Sequence, residues 1–145
     1  MRVYEKCFWT LVIGSWVTLV PTSVGLAADT FMPGPPIIVS ISPDGVQRAT
    51  VILDSYSYSP NHLVVESGKP VELTLTSRTT FIPHNFVMKE LSANLSIEQD
   101  VGAGKTIIPK LAPTQPGRFP FFCDKRLWPM SSHRDKGMEG LLEVR

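Results

Sequence analysis

Four residues of this sequence carry side chains that bind transition metals. Cys123, His133 and Met138 follow the pattern Cys-x9-His-x4-Met, and His84 precedes the cysteine by 39 positions. A thiolate is a soft ligand, an imidazole is borderline, and a thioether binds weakly and favours Cu(I), so the set suits both oxidation states of copper. We therefore predict one copper ion in a trigonal plane of His84, Cys123 and His133, with Met138 as a weak axial ligand.

Each of these residues has an ordinary structural explanation when it is considered alone. A single cysteine at the end of a strand usually packs as a small apolar side chain, and an isolated histidine or methionine carries little information. The metal interpretation therefore depends on their grouping: Cys123 ends one predicted strand, His133 and Met138 follow before the last strand, and His84 precedes all three. Met130 is an alternative axial ligand. His62 begins a predicted strand without a partner motif, and we expect it to have a structural role or to be exposed.

The composition limits the kinds of structure that can position these residues. Proline accounts for 13 of 145 residues, nearly twice the usual share of roughly 5%, which disfavours long helices. The apolar content of 43% argues against a disordered chain. A net charge of +1 provides no long-range field that would attract nucleic acid. The length fits a single domain.

Short β-branched or alternating segments, separated by turn residues, predict most of the regular structure. Strands are expected at residues 37–41, 49–53, 62–66, 71–75, 85–89, 105–111 with a break near Pro109, 119–123 and 141–144. Residues 91–101 predict either one or two helical turns or a loop. Seven or eight short, mostly antiparallel strands at this spacing indicate an all-β sandwich or a small barrel.

The first 28 residues have the composition of a secretory signal peptide. A positively charged start is followed by a short apolar run at 8–20 and then by small residues, so we expect cleavage after Ala27 or Ala28. An uncleaved membrane anchor is the alternative. We expect a flexible leader at 29–36 and one domain at 37–145, located in the periplasm or secreted and not inserted in a membrane after cleavage. Cys7 leaves with the signal, and Cys123 is then the single cysteine of the mature chain.

Several motifs resemble those of the cupredoxin family, the small blue copper proteins. They are Tyr-Ser-Pro-Asn at 58–61, Glu-Ser-Gly-Lys-Pro-Val at 66–71, Pro-His-Asn-Phe at 83–86, Pro-Gly-Arg-Phe-Pro-Phe-Phe-Cys at 116–123 and Gly-Met-Glu-Gly at 137–140. The resemblance implies a Greek-key β-sandwich with copper at one end, and it implies that the Asn85 side chain ties the two ligand loops together. The nine residues between Cys123 and His133 are a longer interval than blue copper carriers often have. The pattern is also similar to cupredoxin-like domains of periplasmic iron-uptake proteins.

The same resemblance bears on enzymatic alternatives. Multicopper oxidases connect two copper centres through a histidine beside the ligand cysteine, whereas Cys123 is flanked by Phe122 and Asp124. A cysteine hydrolase would need an exposed nucleophile and an orienting carboxylate, for which the sequence offers weak candidates. Zinc could occupy the same ligands without an evident purpose. We therefore expect that the protein is not an enzyme.

The long ligand loop predicts a docking surface for a redox partner. Basic residues exceed acidic ones there by two, and an apolar stretch lies in the same loop. We expect His133 to be the electron exit, Trp128 and Met130 to contact the partner, and Lys125 and Arg126 to steer a protein with an acidic docking face. The alternative is that Trp128 folds inward over the copper. The expected function of this monomer is electron shuttling between periplasmic partners; a copper carrier or metal-uptake accessory protein, and a metal-free interaction domain, are the alternatives.

Overall fold

The computed structural model describes residues 31–145, so the predicted signal peptide at 1–28 lies outside the described residues. Eleven strand segments account for most of the regular structure: β1 (Ile37–Ile38), β2 (Gln47–Asp54), β3 (Ser57–Ser59), β4 (His62–Val65), β5 (Val71–Ser77), β6 (His84–Glu90), β7 (Leu95–Val101), β8 (Thr106–Ile107), β9 (Lys110–Leu111), β10 (Gly117–Phe122) and β11 (Glu139–Val144). The same part of the chain contains two single-turn 3-10 helices, at Leu91–Ala93 and Arg134–Lys136. Within residues 31–145, no helix has the length and apolar character needed to cross a membrane.

The strands form two sheets. The larger has the order β1-β4-β11-β10-β6-β7, and the smaller has the order β3-β2-β5-β8, with β9 also paired to β5. Most neighbours are antiparallel, but β2 runs parallel to β5, and β4 runs parallel to both β1 and β11. The predicted all-β sandwich is confirmed. The segments outnumber the seven or eight expected because the predicted strand at 105–111 is divided into β8 and β9, and because β3 and β7 were not anticipated.

Residues 91–101 are the main departure from the sequence prediction. After the 3-10 turn, Asn94 adopts a left-handed conformation with φ of 56°, and the chain returns as β7. This strand pairs with β6 along its whole length, from His84 opposite Val101 to Glu90 opposite Leu95. The expectation of a helix or loop was wrong for 95–101, because pairing with the preceding strand β6 outweighs a weak local preference.

Proline explains the division of another predicted strand. The expected strand at 105–111 consists of β8 and β9 on either side of Pro109, as predicted from the missing N–H group. Pro109 still accepts a hydrogen bond through its carbonyl oxygen, 3.1 Å from the backbone nitrogen of Leu73. Both short strands therefore remain attached to β5.

Apolar side chains that alternate along the strands meet between the two sheets. Val71, Leu73 and Leu75 of β5 are fully buried, as the period-2 pattern predicted. Near the metal-ligand residues the core is aromatic, with the Phe121 ring centroid 4.9 Å from that of Phe86 and 5.1 Å from that of Tyr58. The core therefore continues directly into the end of the sandwich that carries the predicted ligands.

One glycine allows this aromatic packing. A Cβ atom at Gly140 would overlap ring atoms of Phe121, so only glycine fits opposite this side chain. Gly140 lies in β11 and pairs with Phe121 of β10. β11 can therefore pack directly against the Phe121 ring at Gly140, which is two residues after Met138.

His62 has the predicted structural role. It is buried, with Nδ1 3.2 Å from the carbonyl oxygen of Gly34 and Nε2 3.3 Å from a carboxylate oxygen of Glu143. The Gly34 N–H donates a hydrogen bond to the side-chain oxygen of Asn61 at 2.9 Å. These contacts attach the segment before β1 to β4 and β11. The flexibility expected for 29–36 stays a prediction.

Candidate metal centre

The strand order places the predicted ligands at one end of the larger sheet. His84 is the first residue of β6, and Cys123 directly follows β10, which is the neighbour of β6. His133 immediately precedes the 3-10 helix Arg134–Lys136, and Met138 immediately precedes β11, the other neighbour of β10. Three adjacent strands therefore begin or end at the site.

Three of the four predicted ligands converge. The ligand atoms of His84, Cys123 and His133 all lie within 4.8 Å of one another, and all three residues are buried. The Cys123 sulfur is 3.3 Å from Nδ1 of His133. Bonds from a metal to nitrogen or sulfur measure about 2.0–2.3 Å, so two ligand atoms of one ion lie up to about 4.6 Å apart, close to the 4.8 Å within which these three atoms lie. The cluster has the size of a single-ion site.

The His84 ring supplies an independent test of whether a metal fits here. Both of its ring nitrogens are buried and have no hydrogen-bond partner among residues 31–145. A buried polar group without a partner costs about 1–3 kcal/mol, so such groups are rare in folded proteins. A metal ion held by Cys123 and His133 would accept the lone pair of one His84 nitrogen. The donor set and this vacant nitrogen both fit copper.

The protonation states also suit metal binding. Burial lowers the pKa of His84 to about 4, with a further contribution from His133, so this imidazole is neutral at pH 7. Burial, followed by the charge of Lys136, lowers the pKa of His133 as well. Burial raises the pKa of the Cys123 thiol, and a bound cation would reverse this effect by stabilising the thiolate. Neutral imidazoles are the forms that coordinate metals.

Asn85 connects the two ligand-bearing segments. Its side-chain nitrogen donates to a carboxylate oxygen of Asp124 at 2.7 Å, and its side-chain oxygen accepts the Asp124 N–H at 3.1 Å. Its backbone N–H points to the Cys123 sulfur at 3.4 Å. The arrangement is the bridge that the sequence resemblance implied, and it holds the start of β6 against the residue that follows Cys123.

Met138 is integrated into the same end of the fold. Its side chain is fully buried, whereas Met130 is 47% exposed. The Met138 N–H donates to the His133 carbonyl at 2.9 Å, and the Met138 carbonyl accepts the Cys123 N–H at 3.1 Å. Burial and backbone attachment favour Met138 over Met130 as the axial ligand, which stays a prediction.

A family model for the cupredoxin-like domain matches residues 31–137 of the sequence. The chain belongs to the cupredoxin-like domain family. The family and the three-residue cluster together support one bound copper ion. No functionally curated protein matches the sequence.

Solved structures agree with this domain in fold. The metal-binding domain of the Cu(I)-exporting P-type ATPase CopA of Streptococcus pneumoniae, solved with Cu(I), is 19% identical with a TM-score of 0.58, over 77% of this chain and 96% of that domain. Auracyanin from the photosynthetic bacterium Roseiflexus castenholzii is 16% identical with a TM-score of 0.56, over 68% of this chain and 96% of that one. A multicopper oxidase is 17% identical with a TM-score of 0.56, over 74% of this chain and 45% of that one. At identities of 16–19%, these comparisons establish a shared fold and nothing finer.

The exposed surface of the cupredoxin-like domain includes the predicted docking residues. Trp128 is 84% exposed, so the alternative in which it folds inward over the metal does not hold. Lys125 forms an ion pair with Asp100 at 2.6 Å, and Arg126 lies 3.7 Å from Asp135. Counting charges along the loop alone missed Asp100, which comes from β7. The local field is therefore weaker than the loop sequence indicates.

Two tyrosines at the site were not predicted as functional residues. The Tyr58 hydroxyl donates to the carbonyl oxygen of Asn85 at 2.5 Å, which supports the bridge to Asp124. The Tyr56 ring packs against the His133 ring. Tyr58 lies within a motif that the resemblance identified, whereas Tyr56 carries no signal in the sequence, because its contact depends on how the smaller sheet lies against the ligand loop.

Proposed function

We propose that this cupredoxin-like domain is an electron carrier with a mononuclear type 1 copper site, acting between redox proteins outside the cytoplasm, and that it is not an enzyme. The observation that carries the proposal is the buried convergence of His84, Cys123 and His133. When bound, copper would be held by His84, Cys123 and His133 together with Met138, and it would supply one-electron redox chemistry. Export is supported by the signal-like sequence of residues 1–28.

The hydrogen bonds around the ligands support electron transfer in particular. A carrier works best when its ligands move little between the two oxidation states of the metal. The Asn85–Asp124 pair and the backbone bonds of Met138 restrain the ligand segments from outside the metal site. The protein thus supplies much of the ligand geometry before copper binds.

The absence of a histidine beside the ligand cysteine argues against an oxidase role. A multicopper oxidase shares the fold, but it is more than twice the length that this domain covers. Phe122 and Asp124 flank Cys123 and offer no imidazole for a second copper. Cys123 is also fully buried, unlike an accessible catalytic nucleophile.

The partner is proposed to dock on the exposed loop after β10. Trp128 and Met130 provide apolar contact near His133, and Lys125 and Arg126 steer an acidic partner. Because both cations already have acidic neighbours, replacing them with glutamate is expected to slow association at low salt severalfold at most. Stopped-flow reduction at several ionic strengths measures this effect, and an association rate that is the same at every salt concentration would remove steering from the proposal.

The primary test is the visible spectrum and redox behaviour of the purified protein. Intense thiolate-to-Cu(II) absorption that is bleached and restored by a reductant and an oxidant is expected. Cys123→Ser should abolish the absorption, whereas Ser132→Ala, in the same loop, should retain it. A wild-type protein that binds one Cu(II) without this absorption contradicts the type 1 assignment.

A Cu(I) carrier is the second candidate. A Cu(I)-bound domain of a copper-exporting ATPase has the same fold, and two neutral histidines, a cysteine and a methionine also suit Cu(I). Colourless Cu(I) binding, with rapid release to a chelator and no reversible redox cycle, is the result expected for a carrier.

A further inference from the structure

Tyr56 occupies an unusual backbone conformation at the metal-binding end of the domain. It lies in the turn between β2 and β3, and its φ angle is 66°. The left-handed region disfavours a bulky side chain, and glycine or asparagine is the ordinary residue there. Strained backbone of this kind persists where surrounding contacts hold it, and it concentrates at functional sites. The contacts of the Tyr56 side chain should therefore explain why this conformation is kept.

The ring of Tyr56 contacts two residues of the ligand loop. Its centroid is 4.8 Å from that of the His133 ring, and the planes meet at 76°, which is an edge-to-face arrangement. The ammonium group of Lys136 lies 4.1 Å from the centroid of the Tyr56 ring, a cation–π contact. His133 and Lys136 are also joined by a backbone hydrogen bond of 3.1 Å. One ring from the turn between β2 and β3 thus contacts both ends of the turn that carries His133.

The ligand loop depends on contacts from other elements. Residues 123–133 contain no strand or helix, and the Leu127 and Trp128 side chains in this stretch are exposed. The His133 N–H donates to the Lys125 carbonyl at 2.9 Å, which fixes the backbone, and rotation of the imidazole about its side-chain bonds is limited inside the site by the Cys123 sulfur and the His84 ring. The Tyr56 contact restricts that rotation from outside the loop.

We propose that Tyr56 is a positioning residue for His133. Its ring holds the imidazole beside the Cys123 sulfur and closes the site to water, and Lys136 holds the Tyr56 ring in place from the same turn. Cys123 has no exposed surface, and His133 retains only 7% exposure, in agreement with this closure. The effect on copper rests on the proposed function, whereas the effect on thiol access concerns the copper-free protein.

The experiment compares Tyr56→Gly, which removes the ring and relieves the backbone, with Tyr56→Phe, which keeps the ring. In the copper-free protein, Tyr56→Gly is expected to increase the rate at which Cys123 reacts with Ellman's reagent by about tenfold, because the loop opens more often without these two contacts. With Cu(II) added, its thiolate absorption should shift in wavelength. Tyr56→Phe should match the wild type in both measurements. Asn94→Gly is the control, since Asn94 has the same backbone conformation at the opposite end of β6.

Two results would overturn the role of Tyr56. A folded Tyr56→Gly protein with the wild-type thiol rate and spectrum overturns it, and so does a Tyr56→Phe protein that behaves like Tyr56→Gly. If Tyr56→Gly does not fold, Tyr56→Asn is measured under the same criteria, because asparagine tolerates the left-handed region. If the wild-type protein binds no copper, the proposed function fails, while the thiol rate still supports or overturns the role of Tyr56.

Discussion

Replacing Asn85 with alanine tests whether its hydrogen bonds to Asp124 stabilise the fold more than an ordinary surface hydrogen bond does. The change removes two side-chain hydrogen bonds to Asp124, one donated to its carboxylate at 2.7 Å and one accepted from its N–H at 3.1 Å. A hydrogen bond to a charged group contributes about 1.5–3 kcal/mol, and a neutral one about 0.5–1.5 kcal/mol. We expect the unfolding free energy of the copper-free protein to fall by about 2–4 kcal/mol, allowing for partial exposure of Asp124.

The measurement is urea unfolding of the copper-free protein, followed by far-UV circular dichroism. Asn61→Ala is the matched control, because within residues 31–145 its side chain accepts one hydrogen bond, from the Gly34 N–H, and this bond does not join the two ligand-bearing segments. This control should lose about 1 kcal/mol. A double-mutant cycle with Asp124→Ala then isolates the coupling between Asn85 and Asp124. If Asn85→Ala costs no more than Asn61→Ala, or if the cycle gives no coupling, the bridge does not hold the ligand segments together.

Three further predictions address the core, the histidines and the axial ligand. Gly140→Ala should destabilise the domain by more than about 2 kcal/mol in urea unfolding, because its Cβ overlaps the Phe121 ring; an unchanged midpoint would contradict the close packing. In the copper-free protein the unfolded chain protonates His84 near pH 6.5, whereas the folded protein resists protonation until about pH 4. Stability attributable to His84 is therefore complete above pH 6.5 and falls by up to about 3 kcal/mol as the pH approaches 4; urea midpoints at pH 7.5 and 4.5 should differ less in His84→Leu than in the wild type. Met138→Leu should change the reduction potential and the Cu(II) spectrum while Met130→Leu leaves both unchanged, and the reverse result would make Met130 the axial ligand.

The sequence predicted the fold class and the metal chemistry because both depend on local information. Alternation in β5 and proline at position 109 were sufficient to place strands, and the structure agrees at both places. The donor types at His84, Cys123 and His133 indicated copper before any geometry was known. The sequence prediction failed at 95–101, where the strand exists because β6 lies beside it.

The residue types and their order were therefore sufficient to indicate copper, since ligand softness is a property of each side chain alone. Only the tertiary structure decided how the site is held: Asp100 offsets the charge of Lys125, and Tyr56 contacts His133 from the turn between β2 and β3. These contacts join residues that are distant along the chain, and their existence depends on the packing of the two sheets rather than on any local pattern.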